Sequence, residues 1–112
     1  MLSPAVKIFI CAQDTDMRRS FDKLAEMTRS VLAQDPLSGH LFVFFNRPRD
    51  RVKILFWDRS GFCLFYKRLE EGSFRPPQDS GGQIGAAELT LILEGIDLAG
   101  AKRQPRYSLR KM

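Results

Sequence analysis

Three apolar runs, "LFVFF" (41–45), "VKILFW" (52–57) and "FCLFYKR" (62–68), follow one another with only "NRPRDR" and "DRSG" between them. This spacing leaves little choice of pairing. Connections so short join antiparallel neighbours, because a parallel pair needs a crossover of about a dozen residues or more. In the middle run Val52, Ile54 and Phe56 alternate with Lys53, Leu55 and Trp57, so both faces of the strand are largely apolar. A strand of that kind is central and covered on each side.

The cover has to come from the flanking segments. "VKIFICA" (6–12) is rich in β-branched and aromatic residues and reads as a first strand. Met17, Phe21, Leu24, Ala25, Val31 and Leu32 recur at helical spacing, which predicts an amphipathic helix over 17–32 with Thr15 or Asp16 as N-cap. Pro36 and Gly39 in "DPLSGH" (35–40) end that pattern before the sheet begins. A short second helix follows from Ala86 to Glu94, with Leu89, Ile92 and Leu93 inward and Gly95 in the left-handed position past its end. The expected fold is α+β: a small antiparallel sheet of about four strands, one long amphipathic helix packed on it and a short C-terminal helix. The chain of 112 residues fits one compact domain over 1–100, with a basic, flexible tail over 101–112. Phe21, Leu24, Val43, Ile54, Phe56 and Leu64 are the expected core. Trp57 and Phe65 are expected on the other sheet face, beneath the second helix.

Chemistry is harder to find. The aspartates at 14, 16, 22, 35, 50 and 58 fall at turns and element ends, as caps and turn residues do. His40, the one histidine, stands at a strand start with no Cys or carboxylate partner in sight, which suits a hydrogen-bonding role. "SGGQIG" fits neither the dinucleotide nor the phosphate-loop fingerprint, and the two cysteines, Cys11 and Cys63, lack zinc spacing. They read as buried free thiols of a reducing compartment. No enzyme, cofactor or metal site is predicted. No apolar run nears the roughly 18 residues of a membrane span, and no signal peptide is evident, so a cytoplasmic protein away from membranes is expected.

Charge is sorted into blocks. Residues 1–45 are balanced, 46–68 carry a net +5, 69–98 a net −5, and 99–112 a net +5. Within the second block Arg47, Arg49, Arg51 and Lys53 occupy alternate positions, roughly 6–7 Å apart if the segment is extended. Such a row can follow a phosphate backbone, and a two-stranded ribbon fits the DNA major groove. A solvated turn whose charges discourage strand pairing is the competing reading. With Arg59 on the next turn and Lys102, Arg103 and Arg106 in the tail, these eight residues form the expected DNA-binding set.

"DMRRSFDKLAEM", "DPLSGHLFVFFNRPRDRVKILFWDRSGFCLFYKRLEEGSF" and "LILEGID" resemble, in order and separation, the Orf2-like, TnpB-type accessory protein of the IS66 family of bacterial insertion sequences. The resemblance runs from about residue 14 to residue 98. It implies a non-catalytic protein that assists transposition beside a separate transposase. The family's basic turn matches at Arg47, Arg49, Arg51 and Lys53, whereas Phe45 and Pro48 stand where members often carry arginine, so this hairpin is less basic. The implied partners are the element's DNA, the transposase and the other accessory protein. An adaptor that binds those proteins without touching DNA is the alternative.

Overall fold

The computed structural model describes residues 5–77, 82–97 and 102–103, the last two and residues 96–97 as backbone. Its elements are β1 (Ile8–Ile10), α1 (Phe21–Ser30), β2 (Leu41–Phe45), β3 (Arg51–Asp58), β4 (Gly61–Arg68), β5 (Gln83–Ile84), α2 (Ala86–Leu93), β6 (Ile96–Asp97) and β7 (Lys102–Arg103). The class is α+β, as the sequence predicts.

β1 to β5 form one sheet in the order β4-β3-β2-β1-β5, and β6 pairs separately with β7. The three apolar runs make the antiparallel meander β2-β3-β4. The expectation of an antiparallel sheet of about four strands is corrected at β1, which runs parallel to β2 with Ile8 opposite Leu41. The reason lies in the long connection from residue 11 to 40, which contains α1 and so serves as a crossover. β5 then closes the other side of β1 antiparallel.

Both sheet faces are covered, which explains why every residue of β2 is buried. On one face Val43, Phe45, Val52 and Ile54 pack with Leu89 and Ile92 of α2 and with Phe74. On the other, Phe42, Phe44 and Leu55 pack with Leu24, Ala25 and Met27 of α1. The expected core list therefore mixes two cores: Leu24 and Leu64 belong to the α1 side, Val43, Ile54 and Phe56 to the α2 side.

Trp57 and Phe65 do not share a face, contrary to expectation. A two-residue turn pairs Asp58 with Gly61, so an odd-numbered residue of β3 stands beside an even-numbered one of β4. Trp57 is opposite Phe62, with the rings edge to face at 5.1 Å, while Phe65 is opposite Ile54 and exposed. Trp57 thus lies on the α1 side, away from α2.

Helix α1 is shorter than the 17–32 predicted, because both ends are taken by other hydrogen bonds. The Asp16 carboxylate accepts the Arg18 backbone N–H at 2.9 Å, and Arg19 N–H donates to the Asp16 carbonyl at 3.0 Å. That turn delays the helix to an N-cap at Ser20, whose side chain makes no capping bond, so neither Thr15 nor Asp16 is the cap. At the far end Ala33 adopts φ +54° and Gln34 N–H donates to the Thr28 carbonyl, closing the helix two residues early. Phe21 falls in the first helical turn at 43% exposure rather than in the core. Lys53 fills the sheet face beneath that end. Gly95, at φ +78°, occupies the left-handed position after α2, as its sequence position predicts.

Candidate nucleic-acid interface

The β2–β3 turn is built around Asn46. Its side-chain oxygen accepts N–H bonds from Asp50 (3.1 Å) and Arg51 (3.0 Å), and its amide nitrogen donates to the Asp50 carboxylate at 2.6 Å. Asp50 therefore restrains the tip through Asn46. Arg49 N–H donates to the Asn46 carbonyl at 3.1 Å, and Arg49 holds φ +60°, a left-handed conformation costly for a residue with a Cβ. The chain beyond β4 returns to secure it: Leu69 N–H donates to Asp50 O at 2.7 Å and Phe74 N–H to Arg49 O at 2.6 Å. Phe74, fully buried against Phe45 at 5.7 Å, anchors that return. The tip is a fixed object.

Its arginines do not form the straight row expected of an extended segment. Alternate residues share a side only in a strand, and 46–50 is a turn. Arg47 is exposed at the apex, Arg49 lies over the Phe45 ring at 5.7 Å toward the α2 side, and Arg51 reaches the Tyr66 hydroxyl at 3.5 Å on the α1 side.

Lys53 departs furthest from expectation. It is 6% exposed, and its ammonium donates to the backbone carbonyls of Met17 and Arg19, each at 2.7 Å, with the Tyr66 ring 4.7 Å away. Leu55 follows it on the same face of β3, and the four-carbon stem of Lys53 crosses the core edge to the turn before α1. Lys67 has a matching role on the opposite face, donating to the Leu93 carbonyl at the end of α2 at 2.7 Å. A cation there satisfies an orphan carbonyl and suits the helix dipole.

Arg59, at φ +51° in the β3–β4 turn, sits at the opposite end of the sheet from the arginine tip. Of the expected tail residues, Lys102 and Arg103 pair through their backbone with Asp97 and Ile96, and Arg106 lies outside the described residues. Among the described side chains of the expected set, Arg47, Arg49 and Arg51 share the tip, while Lys53 and Arg59 lie apart from it.

Two residues that sequence reading missed adjoin it. Arg68 is opposite Arg51 in the ladder and is paired with Glu70 at 2.7 Å. Arg75 follows Phe74, whose backbone bond to Arg49 brings it to the tip. Arg75 is hidden in the sequence because it stands in the acidic 69–98 block. With Asp50, Glu70 and Glu71 also local, five arginines meet three carboxylates, an excess of two positive charges.

Elsewhere, His40 accepts the Lys7 backbone N–H through Nδ1 at 3.0 Å and meets Phe9 edge-on, a structural role at the strand start. Cys11 is buried, which pushes its thiol pKa up, whereas Cys63 is only half-buried. Among the described residues no group of His, Cys, Asp and Glu could hold a metal ion, and no helix is long and apolar enough to cross a membrane.

The sequence model of the IS66 Orf2-like proteins matches residues 6–103. The uncharacterized protein y4hO of Sinorhizobium fredii (strain NBRC 101917 / NGR234) is 43% identical over 94 residues, covering 82% of each chain. Protein y4jC of the same strain, also uncharacterized, is 34% identical over 109 residues, covering 94% of this chain and 93% of its own. No solved structure matches. The chain is a small α+β protein of the insertion-sequence accessory class. It belongs to the IS66 Orf2-like family, and with that goes an accessory role in transposition.

Proposed function

We propose that the protein binds DNA non-catalytically during transposition, with Arg47, Arg49 and Arg51 on phosphates and Arg75 beside them. The fixed tip is the observation that carries this reading. Its backbone is closed by Asn46 and by the returning 69–74 segment, so the turn that presents the guanidiniums needs no further backbone ordering on binding. Guanidinium forks suit phosphate oxygens, and contacts of this kind give affinity without sequence information.

A second reading is supported by Glu70, Glu71 and Asp50, which reduce the local excess charge. In it the same mixed-charge surface docks on the transposase or the other accessory protein.

A salt titration separates the two. Replacing Arg47, Arg49 and Arg51 together by Ala should make the slope of log K against log salt shallower by up to about 2.7, at about 0.9 per lost phosphate contact. The weakening should be similar across unrelated duplexes. An unchanged slope, with binding to purified transposase lost, would refute the DNA role and leave the adaptor.

A further inference from the structure

Strand β4 is the long outer edge of the sheet, with no neighbouring strand on its far side among the described residues. Its hydrogen-bond phase can be read from its surroundings. Leu69 N–H points inward to Asp50, and the Arg51 carbonyl points to Asn46 of the β2 side, so odd-numbered residues of β4 face β3. Phe62, Leu64, Tyr66 and Arg68 therefore present their N–H and C=O groups outward. An edge eight residues long, with the outward groups of these four residues unpaired among the described residues and Phe65 and Tyr66 exposed on opposite faces, is a template for another strand.

We infer that β4 pairs antiparallel with β4 of a second copy, about a two-fold axis through Phe65, to form a continuous ten-stranded sheet. The two-fold axis normal to the sheet keeps each face on its own side, so paired residues must have like parity. Outward-facing groups must also meet outward-facing groups. A dyad at Phe65 satisfies both and keeps the whole strand in register: Leu64 meets Tyr66, Phe62 meets Arg68, Cys63 meets Lys67, and Phe65 meets itself.

Charge fits a second copy, through what lies past the strand ends as well as within the strand. Residues 61–68 hold two cations and no acid, all at one end. Antiparallel self-pairing sets Lys67 and Arg68 beside uncharged Cys63 and Phe62, with the like charges of the two copies more than about 10 Å apart along the strands. Carried past the strand ends, the same register brings exposed Arg59 of each copy level with Glu70 and Glu71 of the other. Arg59, which has no place at the arginine tip, thereby gains one.

The dimer would set two arginine tips at opposite ends of one sheet. From a rise of about 3.4 Å per residue and about 4.8 Å between strands, the two Arg49 residues lie roughly 37 Å apart. That is close to one turn of duplex DNA, about 34–36 Å. The use of this spacing rests on the function proposed above; the dimer itself does not.

Sedimentation equilibrium of the full chain, without DNA, should show a dimer. Phe65→Lys places two ammonium groups across the dyad and should weaken dimerisation at least tenfold with the circular dichroism spectrum unchanged. Phe65→Cys in a Cys63→Ser background should form a disulfide-linked dimer on mild oxidation, since residues opposite each other in a non-hydrogen-bonded antiparallel pair lie about 4.5 Å apart at Cα. The native Cys63 should not cross-link, because its opposite number is Lys67. A monomer at all concentrations would overturn the inference. So would a dimer indifferent to Phe65→Lys, or β4 protected from hydrogen exchange only when transposase is added. Because none of these readouts contains DNA, their failure would leave the salt titration of the arginine tip standing.

Discussion

Lys53 gives the most direct test of what this structure adds to its sequence. If it is an internal strut, its loss should be felt in stability and not in phosphate binding. Lys53→Met retains the apolar stem but removes the ammonium, leaving the carbonyls of Met17 and Arg19 without their donor. Each acceptor left unsatisfied costs about 1–3 kcal/mol, and the sum for the two is partly offset by no longer burying a charge, so a net loss of about 1–3 kcal/mol is expected. Lys53→Ala also removes three methylenes at about 0.8 kcal/mol each, for a total of about 3–5 kcal/mol. For a domain near this size each kcal/mol corresponds to about 4–8 °C in Tm. Urea unfolding followed by circular dichroism would measure both variants, and the salt slope of DNA binding should match that of the unsubstituted protein. A Lys53→Met variant as stable as the parent, or a slope shallower by about 0.9 with stability retained, would refute the strut and restore Lys53 to the phosphate-binding set.

Phe74→Ala should cost about 3–5 kcal/mol, because the ring is fully buried against Phe45. Hydrogen exchange should then quicken at Asp50 and Arg51, whose N–H groups depend on the turn that the 69–74 segment secures. The side-chain hydrogen bond from Arg18 holds the Asp16 carboxyl at about 2, below its ordinary 3.8. A depressed carboxyl contributes stability that is present above the ordinary value and lost as pH falls through the folded one, so the turn before α1 should loosen between about pH 4 and pH 2. Carbon-detected NMR titration of Asp16 would show the low midpoint, and Arg18→Ala should return it toward 3.8.

The meander was legible because its signal is local. Runs of apolar residues joined by two-to-six-residue turns fix their own pairing, and β2, β3 and β4 fall within a residue of where the pattern puts them. Which helix covers which face was not legible, for β3 is apolar on both sides and offers no preference. The parallel β1–β2 pair was equally hidden, since it depends on the route of a chain segment about thirty residues long.

At the tip, counting charges by spacing put Lys53 in one row with the arginines, although alternation in sequence becomes alternation in space only while the strand lasts. Arg51 and Lys53 do share a face of β3, but Arg51 stands at the sheet margin beside Arg68 while Lys53 lies beneath the approach to α1. Nothing in the residue types distinguishes those places. Arg75 was missed for the complementary reason: its approach to the tip depends on one backbone bond between Phe74 and Arg49, and residue spacing does not encode it.

The division of labour between the two kinds of cation has a chemical consequence. Lys53 and Lys67 are committed to backbone carbonyls, so the tip's charge is carried by guanidinium alone. Acetylation, which neutralises amines, has no group to act on there. Ionic strength or a competing anion is what turns the tip's attraction down. Amine-reactive probes would pass over it, and a dicarbonyl reagent selective for arginine is the label that would report its occupancy.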